Sequence, residues 1–237
     1  MASKPRPEET TAAPLRPPGE VMRLSRMGAA HQTRLSFLRA LLRRIARERW
    51  RFDRPVFALS GDGFGAAVYR AGMPSGVVSL VCFSTPLAPE RRTDRVIAEA
   101  WDTSFALVAG EPDAAEIERL RANVPRQEAG RYGPGDLVLA RANRSVRLFD
   151  AVVDALASGR QPDRATIEAV GYLLRTTAVY GNGKFGIADR ELVVRHPELA
   201  GPFRAEMLTV WMIRAFTLDL VEHIAAARGG SQAVRLE

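Results

Sequence analysis

Residues 56–83 read VFALSGDGFGAAVYRAGMPSGVVSLVCF, and they decide the fold class. Three apolar runs, Val56–Leu59, Ala66–Tyr69 and Val77–Phe83, are each short enough for a strand. The linker Gly61-Asp62-Gly63-Phe64-Gly65 joins the first pair, and Ala71-Gly72-Met73-Pro74-Ser75-Gly76 joins the second. Connections this short link antiparallel neighbours, so a β-meander is expected. The Gly-x-Gly-x-Gly spacing differs from the phosphate-covering hairpin of protein kinases, and no His-Arg-Asp or Asp-Phe-Gly element follows, so a tight hairpin with a bulge is expected.

Working outward, a helical period precedes the strands. Leu35, Leu38, Leu41, Leu42 and Ile45 recur at spacings of three and four, with Arg34, Arg39, Arg43, Arg44 and Arg47 between them. The helix predicted from about residue 29 to 50 should end at Phe52-Asp53-Arg54-Pro55. After the meander, a fourth strand is expected at Ser104–Val108 and a helix at Ala114–Ala122 behind Pro112-Asp113. Further helices are predicted over Leu137–Ala157, from Asp163 to about Val179, over about Ala188–Arg195, and from Pro202 to about Ala227. Strands first and helices later means α+β: a basic N-terminal helix, a short antiparallel meander, then a mostly helical C-terminal half. Residues 1–20, rich in Pro, Thr and charge, are expected as a disordered leader. Residues 21–228 form a single domain, and 229–237 a flexible tail.

The net charge of +7 and pI near 10.4 favour anionic partners: small phosphates or carboxylates, nucleic acid, or an anionic surface. Arginine excess can also reflect genomic base composition. Cys82 is the lone cysteine and lies in an apolar run, which points to a buried structural thiol. No Cys/His spacing matches a zinc site, so no metal is expected, and no cofactor can be read. Neither an apolar signal segment nor a membrane-spanning run is found; Met207–Val221 is broken by Arg214 and Asp219. A cytoplasmic location follows by elimination.

Only two of the 34 basic residues are lysine, Lys4 and Lys184. Lys184 lies in Tyr180-Gly181-Asn182-Gly183-Lys184-Phe185-Gly186. Three glycines permit close backbone approach, and an ammonium beside them suits a phosphate, carboxylate or carbonyl oxygen. The run is not a P-loop, because Phe185 replaces the required Ser or Thr. The preceding Arg175, Thr176 and Thr177 add polar groups, and Arg214, set among Val210, Trp211, Ile213, Phe216 and Leu218, needs an acidic partner from the protein or a ligand. Tyr180, Gly181, Asn182, Gly183, Arg175, Thr176, Thr177 and Arg214 are therefore the expected substrate contacts. Lys184 is the expected catalytic base or imine-forming amine, with His31 or Asp189 as a second proton carrier. His196 reads as a turn residue and His223 as a helix C-terminal cation.

The leading expectation is an enzyme or ligand-binding domain for an anionic small molecule, its reaction class open. A nucleic-acid or anionic-surface binder is the alternative. It would use the first helix and a stripe of Arg141, Arg144 and Arg147 at i, i+3 on a second helix. Stacking aromatics are sparse for that role, at 7%. A dimeric scaffold built on the amphipathic first helix and apolar last helix is the third reading.

Overall fold

The computed structural model describes residues 16–17, 32–95, 98–124, 133–181, 195–201 and 203–237; the side chains of 32–36 and 177–181 are left aside. Helix α1 (Gln32–Glu48) leads into β1 (Arg51–Leu59), β2 (Gly65–Met73), β3 (Gly76–Ser84) and β4 (Thr103–Ala109). Then come α2 (Ala114–Asn123), β5 (Asp136–Arg144), α3 (Phe149–Ala157), α4 (Arg164–Val170), β6 (Leu174–Gly181) and α5 (Arg204–Gly229). The fold is α+β. The six strands form one antiparallel sheet in the order β1-β2-β3-β4-β5-β6, so every strand pairs with its neighbour in sequence.

Alternation along the strands sorts side chains to two faces. Ala67, Tyr69, Leu80, Cys82, Phe105, Leu107 and Ala140 join a core with α1, α3 and α5. Val68, Val81, Phe83, Ala106, Val108 and Leu139 face the other way and pack on Leu120 and Val124 at α2. Both faces of the central strands are thus buried.

The first helix follows its predicted stripe: Leu38, Leu41 and Ile45 are buried while Arg39, Arg43 and Arg47 are exposed. It ends earlier than the expected Phe52–Pro55 stop, at Glu48. Arg49 turns into the left-handed region (φ 55°) and Trp50 N–H returns to the Ile45 carbonyl. Pro55 lies inside β1 instead. An edge strand tolerates the missing N–H, and the ladder shifts register between Asp53 and Val56.

Two predicted helices are strands over part of their length. Residues 137–144 belong to β5, and only 149–157 are helical. As a central strand covered on both sides, β5 shows a near-continuous apolar run whose period cannot distinguish strand from helix. The helix opening after Asp163 has the expected cap, with Asp163 Oδ2 accepting the Thr166 N–H at 2.8 Å. It stops at Gly171, which adopts φ 79°, and β6 takes the segment predicted as its second half. The β-branched Thr176, Thr177 and Val179 and aromatic Tyr180 favour that outcome.

The segment expected as a flexible tail makes specific contacts. Val234 N–H donates to the Leu156 carbonyl at 3.0 Å, and Leu236 N–H to Glu222 Oε1 at 2.9 Å. Gln161 continues the line, its Nε2 donating to the Arg235 carbonyl at 2.8 Å. Arg16, from the predicted leader, also donates to Glu222.

Helix α5 crosses the sheet as the core's long axis. Phe216 meets Tyr69 and Phe105 edge-on. Asp219 Oδ2 accepts both the Tyr69 hydroxyl (2.7 Å) and Arg54 (2.8 Å), tying α5 to β1 and β2. Gly63, at φ 75° in the β1–β2 hairpin, lies under the same helix; a Cβ there would stand 2.7 Å from Leu220 and Ile224. Asp219→Ala is therefore expected to cost roughly 3 kcal/mol in urea unfolding, because it strands a mostly buried guanidinium. Tyr69→Phe should cost about 1 kcal/mol. A loss below about 0.5 kcal/mol for Asp219→Ala would show that the cluster does not hold the helix.

Candidate functional site

The chemistry-bearing residues converge at the corner where β5 enters α3, in the run Asn143-Arg144-Ser145-Val146-Arg147. Beside it lie the start of β6 and the loop joining β3 to β4. Arg144 is the structural centre. Its NH2 donates to the Gly63 carbonyl (3.1 Å) and Ser84 Oγ (2.9 Å), and its guanidinium carbon lies 4.9 Å from the Phe64 and Phe149 ring centroids. Burial lowers its pKa, with Asp102 opposing. The group thus rivets the β1–β2 hairpin tip to the ends of β3 and β5.

Asp102 is fully buried just before β4. Its carboxylate accepts the Arg144 backbone N–H at 3.1 and 3.2 Å, and Arg92 Nε stands 3.8 Å away. Asn143 braces the same residue, accepting the Asp102 N–H (3.0 Å) and donating to the Ala100 carbonyl (2.9 Å). Burial pushes the Asp102 carboxyl up to about 6, against the pull of Arg144 and Arg92.

The outer part of the corner is rich in donors. The N-cap of α3, Leu148, makes no side-chain cap bond, and the first helical amide, Phe149 N–H, returns to the Ser145 carbonyl at 3.1 Å. Among the described residues, the hydroxyls of Ser145 (2% exposed) and Tyr172 (7% exposed) have no hydrogen-bond partner. Arg147 is exposed, and its pKa is raised by the adjacent Tyr172 hydroxyl and by Asp94. Arg175 lies over the Tyr172 ring, 4.9 Å from its centroid. Asp94, in the β3–β4 loop, is the acidic member: it accepts Val146 N–H (3.2 Å) and Arg147 Nε (3.1 Å). These groups can hold an anion by charge-assisted hydrogen bonds at a helix start.

The residues expected from sequence are distributed differently. His31, Asn182, Gly183, Lys184 and Asp189 lie outside the described residues, as does most of the predicted 188–195 helix. Arg175, Thr176, Thr177, Tyr180 and Gly181 lie on β6, not at the end of a helix. Six residue steps of an extended strand separate Arg175 from Gly181, about 20 Å. Arg175 therefore belongs to the corner and cannot meet a ligand held at the Gly181 end. Thr176 is exposed. Arg214 is largely buried on α5, and burial lowers its pKa.

The predicted helical stripe of Arg141, Arg144 and Arg147 is absent. Arg141 and Arg144 belong to β5; Arg141 lies 3.7 Å over the Trp101 ring, and Arg144 is buried. A helix would have aligned them; alternation of the strand and the turn after it separate them. Ser145, Tyr172, Asp94 and Asp102 were passed over because residues 137–157 read as one helix, which hides the strand-to-helix junction.

Two other clusters have structural explanations. Glu198 accepts the Ser75 N–H at 2.8 Å and the Ser75 hydroxyl, clamping the β2–β3 turn, while His196 Nδ1 stands 3.5 Å from that hydroxyl. The Ser75 proton thus points to the carboxylate rather than to the imidazole, unlike a nucleophile–histidine pair. His223 contacts the Ser60 carbonyl through Nε2 at 2.8 Å. Cys82 is buried, and desolvation raises its thiol pKa. No group of three His, Cys, Asp or Glu suited to a metal ion occurs among the described residues, nor does a helix long and apolar enough to cross a membrane.

Asp102 predicts a pH dependence of folding. A carboxyl near 6 in the native state, against an ordinary 3.8, binds more protons folded than unfolded between those values. Stability is greatest below about pH 4 for this group and falls as pH rises through 6, by on the order of 2–3 kcal/mol. Asp102→Asn should remove that fall in urea titrations at pH 4 to 7; an unchanged slope would refute the assignment. Comparison with known proteins finds no matching family model, curated protein or solved structure.

Proposed function

We propose that this domain binds an anionic small molecule at the β5–α3 corner. The observation that carries the reading is the grouping of donors at one place: an exposed Arg147, the Tyr172 hydroxyl beside it, Arg175 over the Tyr172 ring, and the Val146 amide. Buried polar groups normally have partners, and the Ser145 and Tyr172 hydroxyls have none among the described residues, which agrees with a bound oxygen, from ligand or water, at this corner. Arg175 adds charge beside Tyr172, and Arg92 adds it beside Asp102. The net charge of +7 agrees with an anionic ligand and would speed its approach. Binding is the assigned activity; no reaction is assigned to the corner.

The loop with Asn182, Gly183 and Lys184 is the rival seat for the same class of ligand. One experiment separates them: titration calorimetry at low salt with inorganic phosphate, citrate and succinate. Arg147→Gln should weaken binding by about 10- to 100-fold, as expected for loss of a charged hydrogen bond. Tyr172→Phe should weaken it by about fivefold, and Lys184→Arg should leave it unchanged. Loss with Lys184→Arg but not with Arg147→Gln would move the site to the loop. No binding of any probe at millimolar concentration would overturn the proposal.

A further inference from the structure

We infer that Asp94 is a resident stand-in for the ligand, and that the ligand is a carboxylate which displaces it. This rests on the corner being the anion seat. The two oxygens of one planar group already bridge two donors there: Oδ1 takes the Val146 N–H at 3.2 Å and Oδ2 takes Arg147 Nε at 3.1 Å. An amide and a guanidinium spaced to take the two oxygens of one carboxylate are matched to another carboxylate.

The contact is placed to be exchanged. Asp94 is carried by the β3–β4 loop rather than by a strand or helix, and the Arg147 side chain is 63% exposed against 17% for Asp94, so the pair is open on the arginine side. The unpartnered Tyr172 hydroxyl beside Arg147 and the Arg175 guanidinium over that ring border the same place. An incoming carboxylate would take over the two donors Asp94 now holds and gain the Tyr172 hydroxyl, which Asp94 leaves unused. Asp94 would then swing out with its loop. A tethered competitor acts at millimolar effective concentration, so it weakens every free carboxylate by a constant factor.

The test compares the wild-type protein with Asp94→Asn, which keeps the side-chain shape and removes the charge. Acetate, succinate and phosphate are titrated, read by calorimetry and by the Val146 amide resonance. Asp94→Asn is expected to bind succinate about tenfold tighter than wild type and to bind it in preference to phosphate, and Arg147→Gln in that background should abolish the gain. Asp94→Ser, checked by thermal unfolding, gives the same comparison should the Asn variant fold poorly. If Asp94→Asn and wild type bind succinate equally while Arg147→Gln loses it, the corner stands as an anion seat and the stand-in inference is wrong. Phosphate bound more tightly than succinate by Asp94→Asn would overturn the carboxylate assignment. Failure of all probes in all variants would remove both.

Discussion

The carboxylate of Asp219 is the constraint on which the rest of the fold depends. It sits midway along a helix whose other side chains there are almost all apolar, and it faces a sheet. Such a group is tolerable only where donors meet it, and the donors are Tyr69 on β2 and Arg54 on β1. The helix can therefore take only one rotation and one height on the sheet. Phe216 then falls between Tyr69 and Phe105, and Leu220 and Ile224 fall on Gly63. Hydrophobic burial supplies most of the stability, but it is non-directional; the directional bonds fix the register of helix on sheet.

From that register the corner follows. The hairpin tip pressed under α5 presents the Gly63 carbonyl toward the end of β5, where Arg144 reaches it across Ser84. With the Arg144 side chain drawn inward and its backbone N–H held by Asp102, the chain must turn at Ser145 before it enters α3. The turn leaves Arg147 outside and the Ser145 hydroxyl inside. The candidate site is thus a by-product of one buried guanidinium linking three strand ends.

Much of this was legible in the sequence. The short apolar runs from Val56 to Phe83, broken by glycine-rich linkers, identify antiparallel neighbours on local grounds alone. The α1 stripe, the Asp163 cap and the long final helix were equally local. What local pattern could not resolve was a strand buried on both faces: 137–140 is a continuous apolar run because both sides are core, and the segment continues into a true helix. The β6 error has a different origin. Arg175–Tyr180 has strand-favouring residues, but the good cap at Asp163 made a long helix look well started, and Gly171 was read through rather than as its stop. Arg175 was singled out, yet for a helix end it does not occupy. Ser145 and Tyr172 could not have been found, since what distinguishes them is burial without a partner, which only the packed structure creates.

The scarcity of lysine takes on a different meaning in this light. Several arginines use geometry that an ammonium lacks. Arg144 lies over two phenyl rings while its NH2 serves an Asp-Gly turn and a serine. Arg54 lies 3.9 Å over Phe57 and bonds Asp219, and Arg119 spans both oxygens of Asp136. Arg141 lies over the Trp101 ring. A planar, weakly hydrated fork can be stacked and bonded at once; a compact ammonium surrenders the stacking and holds its water more tightly. Genomic bias can supply arginines in quantity, but it does not place them against rings and between strand ends. At these four positions the fold itself requires arginine, and the excess positive charge is partly the consequence of how this sheet is fastened at its ends.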